Sequence, residues 1–244
     1  MTESDLNIKV VTFTHRPELY RIAAAMMDDL PYPKIALHEY PGSNVNGAFD
    51  MALAVGADWL IHIDEDAFVF APERIPRLVN YMANNGFALC GVPDGGVVEH
   101  RRHNPVVCNP FFSIVNVKLI LERAKDTSST QNTQWDESYG AYTAPFVGRD
   151  GKQFAYDHFE SWYGAYFWLC KQGLRVLYLD AAAWEGEPEG LSTLVKDHTG
   201  EFFLLHTWFA REYDGKHRAR IDRAIQHALE LWAKHRAASV TDSG

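Results

Sequence analysis

The sequence predicts an α/β fold with a mostly parallel central sheet and helices on both faces. Three observations carry that expectation. Strand-like and helix-like segments alternate over residues 1–100. Two short apolar runs, "WLIHI" (59–63) and "FALCGVP" (87–93), are continuous rather than alternating, as strands covered on both faces are. Proline and glycine fall where helices should begin and end. Such an alternation favours parallel pairing, because each helix returns the chain across the sheet to start the next strand in the same direction.

The elements follow in order. "IKVVTFTH" (8–15) is rich in β-branched residues and reads as a strand, after which Pro17 opens a helix with Leu19, Ile22, Met26 and Leu30 on one face. "KIALHEY" is a second strand. "NVNGAFDMALAVGAD" repeats Ala48, Met51, Ala52 and Val55 at helical spacing before the strand "WLIHI". "ERIPRLVNYMANNG" is helical through Ile75, Leu78, Val79 and Met82, stops at Gly86, and leads into "FALCGVP". In the second half "NPFFSIV" reads as a strand, "NVKLILERAK" as a helix, and "HFESWYGAYFWLCKQG" as a buried helix ending at Gly173. "LRVLYLDAAAW" and "EFFLLHTWF" read as strands, and "DGKHRARIDRAIQHALELWAKHR" as an amphipathic helix through Ile221, Ile225, Ala228 and Trp232. Residues 126–151 are polar and aperiodic, and a loop of that length inside a domain is usually functional. With no internal repeat and no linker, one domain over 1–244 is expected: a ligand-binding half over 1–100, a catalytic half over 101–213 and a C-terminal helix over 214–244.

Composition narrows the classes. At 244 residues, 47% hydrophobic and 23% charged, the chain has the makings of a substantial core. Lys+Arg of 23 against Asp+Glu of 32 gives a net charge of −9, which argues against nucleic acid or an anionic membrane as a partner. Cys90, Cys108 and Cys170 are odd in number and widely spaced, so neither a disulfide framework nor a zinc pattern is expected. No run approaches the roughly 20 apolar residues of a membrane-spanning helix, and the N-terminus lacks a signal peptide's pattern. A cytoplasmic setting is the expectation.

The stretch "WLIHIDEDAFVF" (59–70) then stands out, because three acids follow directly on a buried strand. Like charges side by side cost energy unless water or a cation compensates them. In extended backbone Asp64 and Asp66 share a face while Glu65 points away. Two carboxylates at a strand's carboxyl end, where open α/β sheets bind ligands, make an oxygen site suited to Mg²⁺ or Mn²⁺. A divalent ion there would stabilise a departing diphosphate. The plainer reading is an acidic turn with Asp66 capping a later helix.

The order of "VVTFTHRPEL", "GAFDMALAVGADWLIHIDEDAFV" and "ESWYGAYFWLCKQGLRVLYLDAAAW" resembles the D-x-D-containing, nucleotide-sugar-dependent glycosyltransferases of the GT-A fold, a Rossmann-like single-domain architecture. The resemblance covers residues 8–184. It implies transfer of a sugar from a nucleoside-diphosphate sugar, UDP-linked by expectation, to an acceptor hydroxyl of unknown identity. It also implies that Asp64 meets ribose or sugar, that Asp66 holds the metal, and that Thr12, Phe13 and Thr14 lie at the nucleoside. The family's usual first-turn wording is absent here. Inverting members place an acid at the start of the buried helix as the base, and "YDHFES" supplies Asp157 and Glu160; the same two residues would equally make a capping box. Asp157 is the narrower preference for the base, with Glu160 at the acceptor. A late histidine completes the metal shell in many such enzymes, and His206 at the end of an apolar run is the candidate, with His198 the competitor and His62 structural.

Trp162, Tyr163, Tyr166, Phe167 and Trp168, at helical spacing, read as core rather than a sugar platform. Arg211, Arg218, Arg220 and Arg223 read mainly as a solvated helix face, although they could neutralise diphosphate. Four other readings stand beside transfer with inversion: transfer with retention, a nucleotide-sugar-binding protein without turnover, a two-metal nuclease or phosphatase, which wants more clustered carboxylates than Asp64 and Asp66 provide, and a nucleotidyltransferase. The last needs a glycine-rich loop that "TFTHRPEL" lacks.

Overall fold

The first apolar segment is the seed of the sheet. The computed structural model describes residues 6–38, 56–94, 101–124, 132–149, 151 and 153–241. Ile8–Thr14 (β1) pairs in parallel with Lys34–His38 (β2) on one side and with Trp59–Ile63 (β3) on the other. The sheet continues through Cys108–Asn116 (β6) and Phe87–Pro93 (β5) to Arg175–Tyr178 (β7), in the order β2-β1-β3-β6-β5-β7. Strand β6 pairs antiparallel with both its neighbours, while β7 is parallel to β5. The sheet is therefore mixed, with β6 alone reversed. Among the described residues no helix separates β5 from β6, and a strand entered without a crossover pairs antiparallel.

A second, antiparallel sheet of order β4-β10-β9-β8 stands beside the first. It is built from Ala67–Val69 (β4), Ala181–Ala183 (β8), Thr193–Lys196 (β9) and Phe202–His206 (β10). The run "LRVLYLDAAAW" is thus two strands in different sheets, β7 and β8, rather than one.

Helices cover both faces of the large sheet. Pro17–Met26 (α1), Arg74–Asn85 (α2) and Arg218–Thr241 (α5) pack into one apolar cluster with β1, β3 and β10. Val117–Leu121 (α3) and Tyr163–Lys171 (α4) pack into the other. Helix α2 follows its sequence pattern closely. Ile75, Leu78, Val79 and Met82 are all fully buried, a burial of about 1.5–3 kcal/mol per side chain, and Gly86 closes the helix at φ 65. The aromatic run of α4 is core as expected, with Tyr163, Tyr166 and Phe167 fully buried. The three cysteines are buried free thiols. The helix expected over 44–58 lies outside the described residues except for its last three, and the loop expected over 126–151 is described only in part, with a 3-10 turn at Glu137–Tyr142.

The β9–β10 turn is held by one carboxylate. Asp197 accepts hydrogen bonds from the Thr199 N–H and hydroxyl at 2.8 and 2.6 Å, the Glu201 N–H at 3.2 Å and Arg74 Nη1 at 2.8 Å. Burial opposes its charge, but these donors together hold Asp197 below the ordinary aspartate value of 3.8. A carboxyl depressed in the folded state stabilises above its unfolded pKa, and that stability is lost as pH falls through the folded value. Asp197→Asn is therefore expected to lose about 1–3 kcal/mol at neutral pH in urea unfolding. The gap to wild type should close as the pH falls below the ordinary value of 3.8; a constant gap at all pH values would assign the loss to packing.

Candidate active site

The two sheets meet at the acids. Where β3 ends, the Asp64 N–H donates to the Phe111 carbonyl at 2.9 Å and the Ala67 N–H donates back to the Asp64 carbonyl at 3.1 Å, so the chain turns directly into β4. The acids lie in this tight turn rather than in extended backbone, and it is the turn that sends Glu65 toward the β1–α1 connection. The Glu65 carboxylate accepts from the His15 and Arg16 N–H groups at 2.8 and 2.7 Å, donors left free by the entry into α1. Burial pushes the Glu65 carboxyl above its ordinary value, against the pull of those donors. The middle acid is thus a latch between β3 and the β1–α1 turn.

The outer acids face the other way and meet β10. Because β10 runs antiparallel to β4 with His206 opposite Ala67, the imidazole arrives beside Asp66. His206 Nε2 lies 3.5 Å from Asp66 Oδ1, and the Thr207 N–H donates to the Asp66 carbonyl at 3.0 Å. The His206 ring stacks on Phe111 with centroids 3.9 Å apart and planes at 11°. Asp66 is buried, which disfavours its charge, yet the imidazole beside it holds it below the ordinary aspartate value. Asp66 is also met by the backbone N–H of Ala210, the first residue of the 3-10 turn Ala210–Glu212, so beside the imidazole it serves the start of that short turn.

One potential ligand atom each from Asp64, Asp66 and His206 lies within 4.8 Å of the others. The His206 Nδ1 is buried without a hydrogen-bond partner among the described residues, as is the Nδ1 of His62, whose Nε2 sits 3.2 Å from Asp64 Oδ1. Two carboxylates and an imidazole suit Mn²⁺ well and Mg²⁺ less well, and an ion would offset the carboxylate charge that the fold concentrates here. The residues present fit such an ion.

A cleft of about 420 Å³ opens over this trio. It is lined by His15 and Arg211, whose ring and guanidinium nitrogens are 3.5 Å apart. Trp208 and Phe209 form a lip beside them. Arg101, Asn109, Glu160 and Trp162 line it as a second polar group. Arg101 ties that group together. Its Nε and Nη2 donate to the fully buried Asp94 at 3.1 and 2.9 Å, and its Nη1 donates to Glu160 Oε1 at 2.9 Å. Asp94 also accepts from Asn109 Nδ2 at 2.8 Å and from the Tyr163 hydroxyl. Burial, then the adjacent Asp94, pushes that phenol far above its ordinary value.

The residues read from the sequence separate here. Asp64, Asp66 and His206 come together; His62 joins them through Asp64. Of Thr12, Phe13 and Thr14, only Phe13 reaches the cleft, edge-on to His62, while both threonines are buried. Asp157 and Glu160 do not form a capping box. Helix α4 begins only at Tyr163, with Trp162 at its cap and no side-chain cap bond. Asp157 is exposed and pairs with His103 at 3.0 Å, outside the cleft lining. His198 stacks on Tyr81 instead of approaching the acids. Arg101 was not singled out by the sequence; it stands in the basic run "EHRRHNP", and only the tertiary pairing with Asp94 distinguishes it.

No family model matches the chain, and no curated protein matches it. Glycosyltransferases are among its structural neighbours. The chain is similar to a glycosyltransferase involved in the glycosylation of the major capsid of PBCV-1, at 12% identity over 90% of this chain and 98% of that one, with a TM-score of 0.47. It is similar to the mannosyltransferase PcManGT from Pyrobaculum calidifontis, solved with GDP-Man and Mn²⁺, at 12% identity over 72% of this chain and 55% of that one, TM-score 0.43. A third likeness is to A197 from STIV, at 12% identity over 82% and 94%, TM-score 0.43.

Removing Arg101 would leave Asp94 buried without its cation. Arg101→Met should cost about 3–5 kcal/mol in urea unfolding. A loss under about 1 kcal/mol, the size expected of an exposed pair, would mean that Asp94 is compensated without the guanidinium.

Proposed function

We propose that this chain is a metal-dependent glycosyltransferase that uses a nucleoside-diphosphate sugar and passes the sugar to an acceptor hydroxyl with inversion. The observation that carries this reading is the meeting of Asp64, Asp66 and His206 in a cleft that His15, Arg211, Arg101 and Glu160 also line. Asp64, Asp66 and His206 hold Mn²⁺ or Mg²⁺. When bound, that ion supplies positive charge to the diphosphate that leaves.

The chain's own residues do the rest. Arg211 and His15 meet the diphosphate oxygens, and Phe13 offers an apolar face at the nucleoside end. Glu160 is the base in preference to Asp157, because it is the acid that lines the cleft. Arg101 holds Oε1, so Oε2 is the oxygen that takes the acceptor's proton. The acceptor oxygen then bonds to the anomeric carbon as the bond from that carbon to the phosphate oxygen breaks, and the electron pair leaves with the diphosphate. Trp162 and Trp208 narrow the cleft and exclude water, which would otherwise compete as the acceptor.

Thermal stability against UDP, GDP, CMP and dTDP, each with and without Mn²⁺, tests the donor half. One nucleotide should stabilise wild type only with metal, by about 2.7 kcal/mol at 100 times its Kd, and Asp66→Asn should not respond. Equal responses from both proteins would reduce the acids to a structural turn. Glu160→Gln should keep the nucleotide response yet slow release of nucleoside diphosphate over an acceptor panel by about 10²–10⁴-fold, whereas Asp157→Asn should leave it near wild type. The reverse pattern would move the base to Asp157.

A further inference from the structure

Arg220 reads in sequence as part of a solvated arginine face, yet it is 2% exposed. A guanidinium is buried only where its donors are met. Here Nη1 donates to the Thr207 carbonyl at 2.5 Å, Ser192 Oγ at 3.0 Å and Glu187 Oε2 at 3.3 Å. Nη2 donates to the Trp208 carbonyl at 2.8 Å, and Nε to His217 Nδ1 at 3.4 Å. Glu187, the counter-charge, is itself held by the Leu191 N–H at 2.6 Å and the Ser192 hydroxyl at 2.8 Å.

The two carbonyls that Arg220 grips begin an unusual turn. Trp208 and Phe209 are consecutive non-glycine residues at φ 61 and φ 64, in the left-handed region. There the β-carbon crowds the backbone, and such geometry persists only where its surroundings over-determine it. Arg220 supplies that constraint through the carbonyls. Its partner His217 adds to it by stacking on the Phe209 ring, with centroids 4.7 Å apart and planes at 6°. The turn follows directly on His206, whose ring lies 4.8 Å from that of Trp208, and it carries the cleft's aromatic lip.

We infer that Arg220 is a positioning residue for the metal site: from the C-terminal helix it holds the left-handed 208–209 turn, and so fixes His206 beside Asp66 and sets Trp208 and Phe209 against the cleft. The inference rests on the reading of Asp64, Asp66 and His206 as ligands. Nothing in the proposed transfer reaction itself requires an arginine in α5.

Mn²⁺ binding followed by the electron paramagnetic resonance of the free ion separates the possibilities without any substrate. Wild type should bind one Mn²⁺ and Asp66→Asn should not. Arg220→Lys keeps the charge opposite Glu187, but one ammonium cannot bridge both carbonyls, so its affinity should fall by about tenfold or more, within the range set by groups that orient metal ligands. Adding Phe209→Gly, which takes a left-handed φ without crowding, should recover most of that loss. A wild type that binds no Mn²⁺ overturns the metal reading and this inference together. Wild-type affinity in a folded Arg220→Lys protein, with Asp66→Asn inactive for binding, overturns the inference alone. Should Arg220→Lys fail to fold, the double variant decides: folding with affinity within about threefold of wild type supports the turn-holding role. Failure of the double variant to fold, or weaker binding by it, reduces Arg220 to a core fastener.

Discussion

The register of β10 against β4 is the constraint on which the rest depends. Placing His206 opposite Ala67 puts an imidazole beside Asp66 and carries Thr207 onto the Asp66 backbone. A slip of one residue would turn His206 to the other face of its strand and take the nitrogen away from the carboxylates. The register is fixed from both ends. Asp197 and Arg74 hold the β9–β10 turn, and the gripped carbonyls of Thr207 and Trp208 hold the exit. The proposed metal site is therefore less a property of the "DED" tripeptide than of the strand that crosses it.

The three acids divide their work by direction. Glu65 turns back to the N–H groups before α1 and secures the β1–α1 turn, which Arg16 in turn ties to the 211–214 segment through the Arg211 carbonyl and Asp214. Asp64 and Asp66 are thereby left free of structural duty toward that turn. One tight turn thus produces a latch and a paired carboxylate site from consecutive residues, while His15 and Arg211 line the same cleft with their nitrogens 3.5 Å apart.

A second polar system borders the cleft and shares the logic of the first. Asp94 is fully buried, yet its oxygens are met by Arg101, Asn109 and Tyr163, so the charge is compensated within the wall. Arg101 can then extend its remaining nitrogen to Glu160 and orient that carboxylate toward the cleft. Asp157, three residues earlier, is drawn to the surface by His103. Of the two acids, Glu160 thus lines the cleft beside Arg101, while Asp157 stays at the surface beside His103.

Local pattern alone determined much of the fold. The apolar spacing of α2, the proline that opens α1 and the unbroken strands β3 and β5 are short-range facts, and the structure keeps them; the extended alternation expected of Asp64, Glu65 and Asp66 is replaced by a tight turn. Long-range pairing decided the remainder. The reversal of β6, the split of "LRVLYLDAAAW" between two sheets, the burial of Arg220 and the late start of α4 all depend on partners far away in sequence. Helical periodicity cannot tell an acid that caps a helix from one that pairs with a distant arginine, because both satisfy the same spacing. His206 stood out as a candidate because it ends an apolar run; its place beside Asp66 is set by strand register, and register is a tertiary quantity.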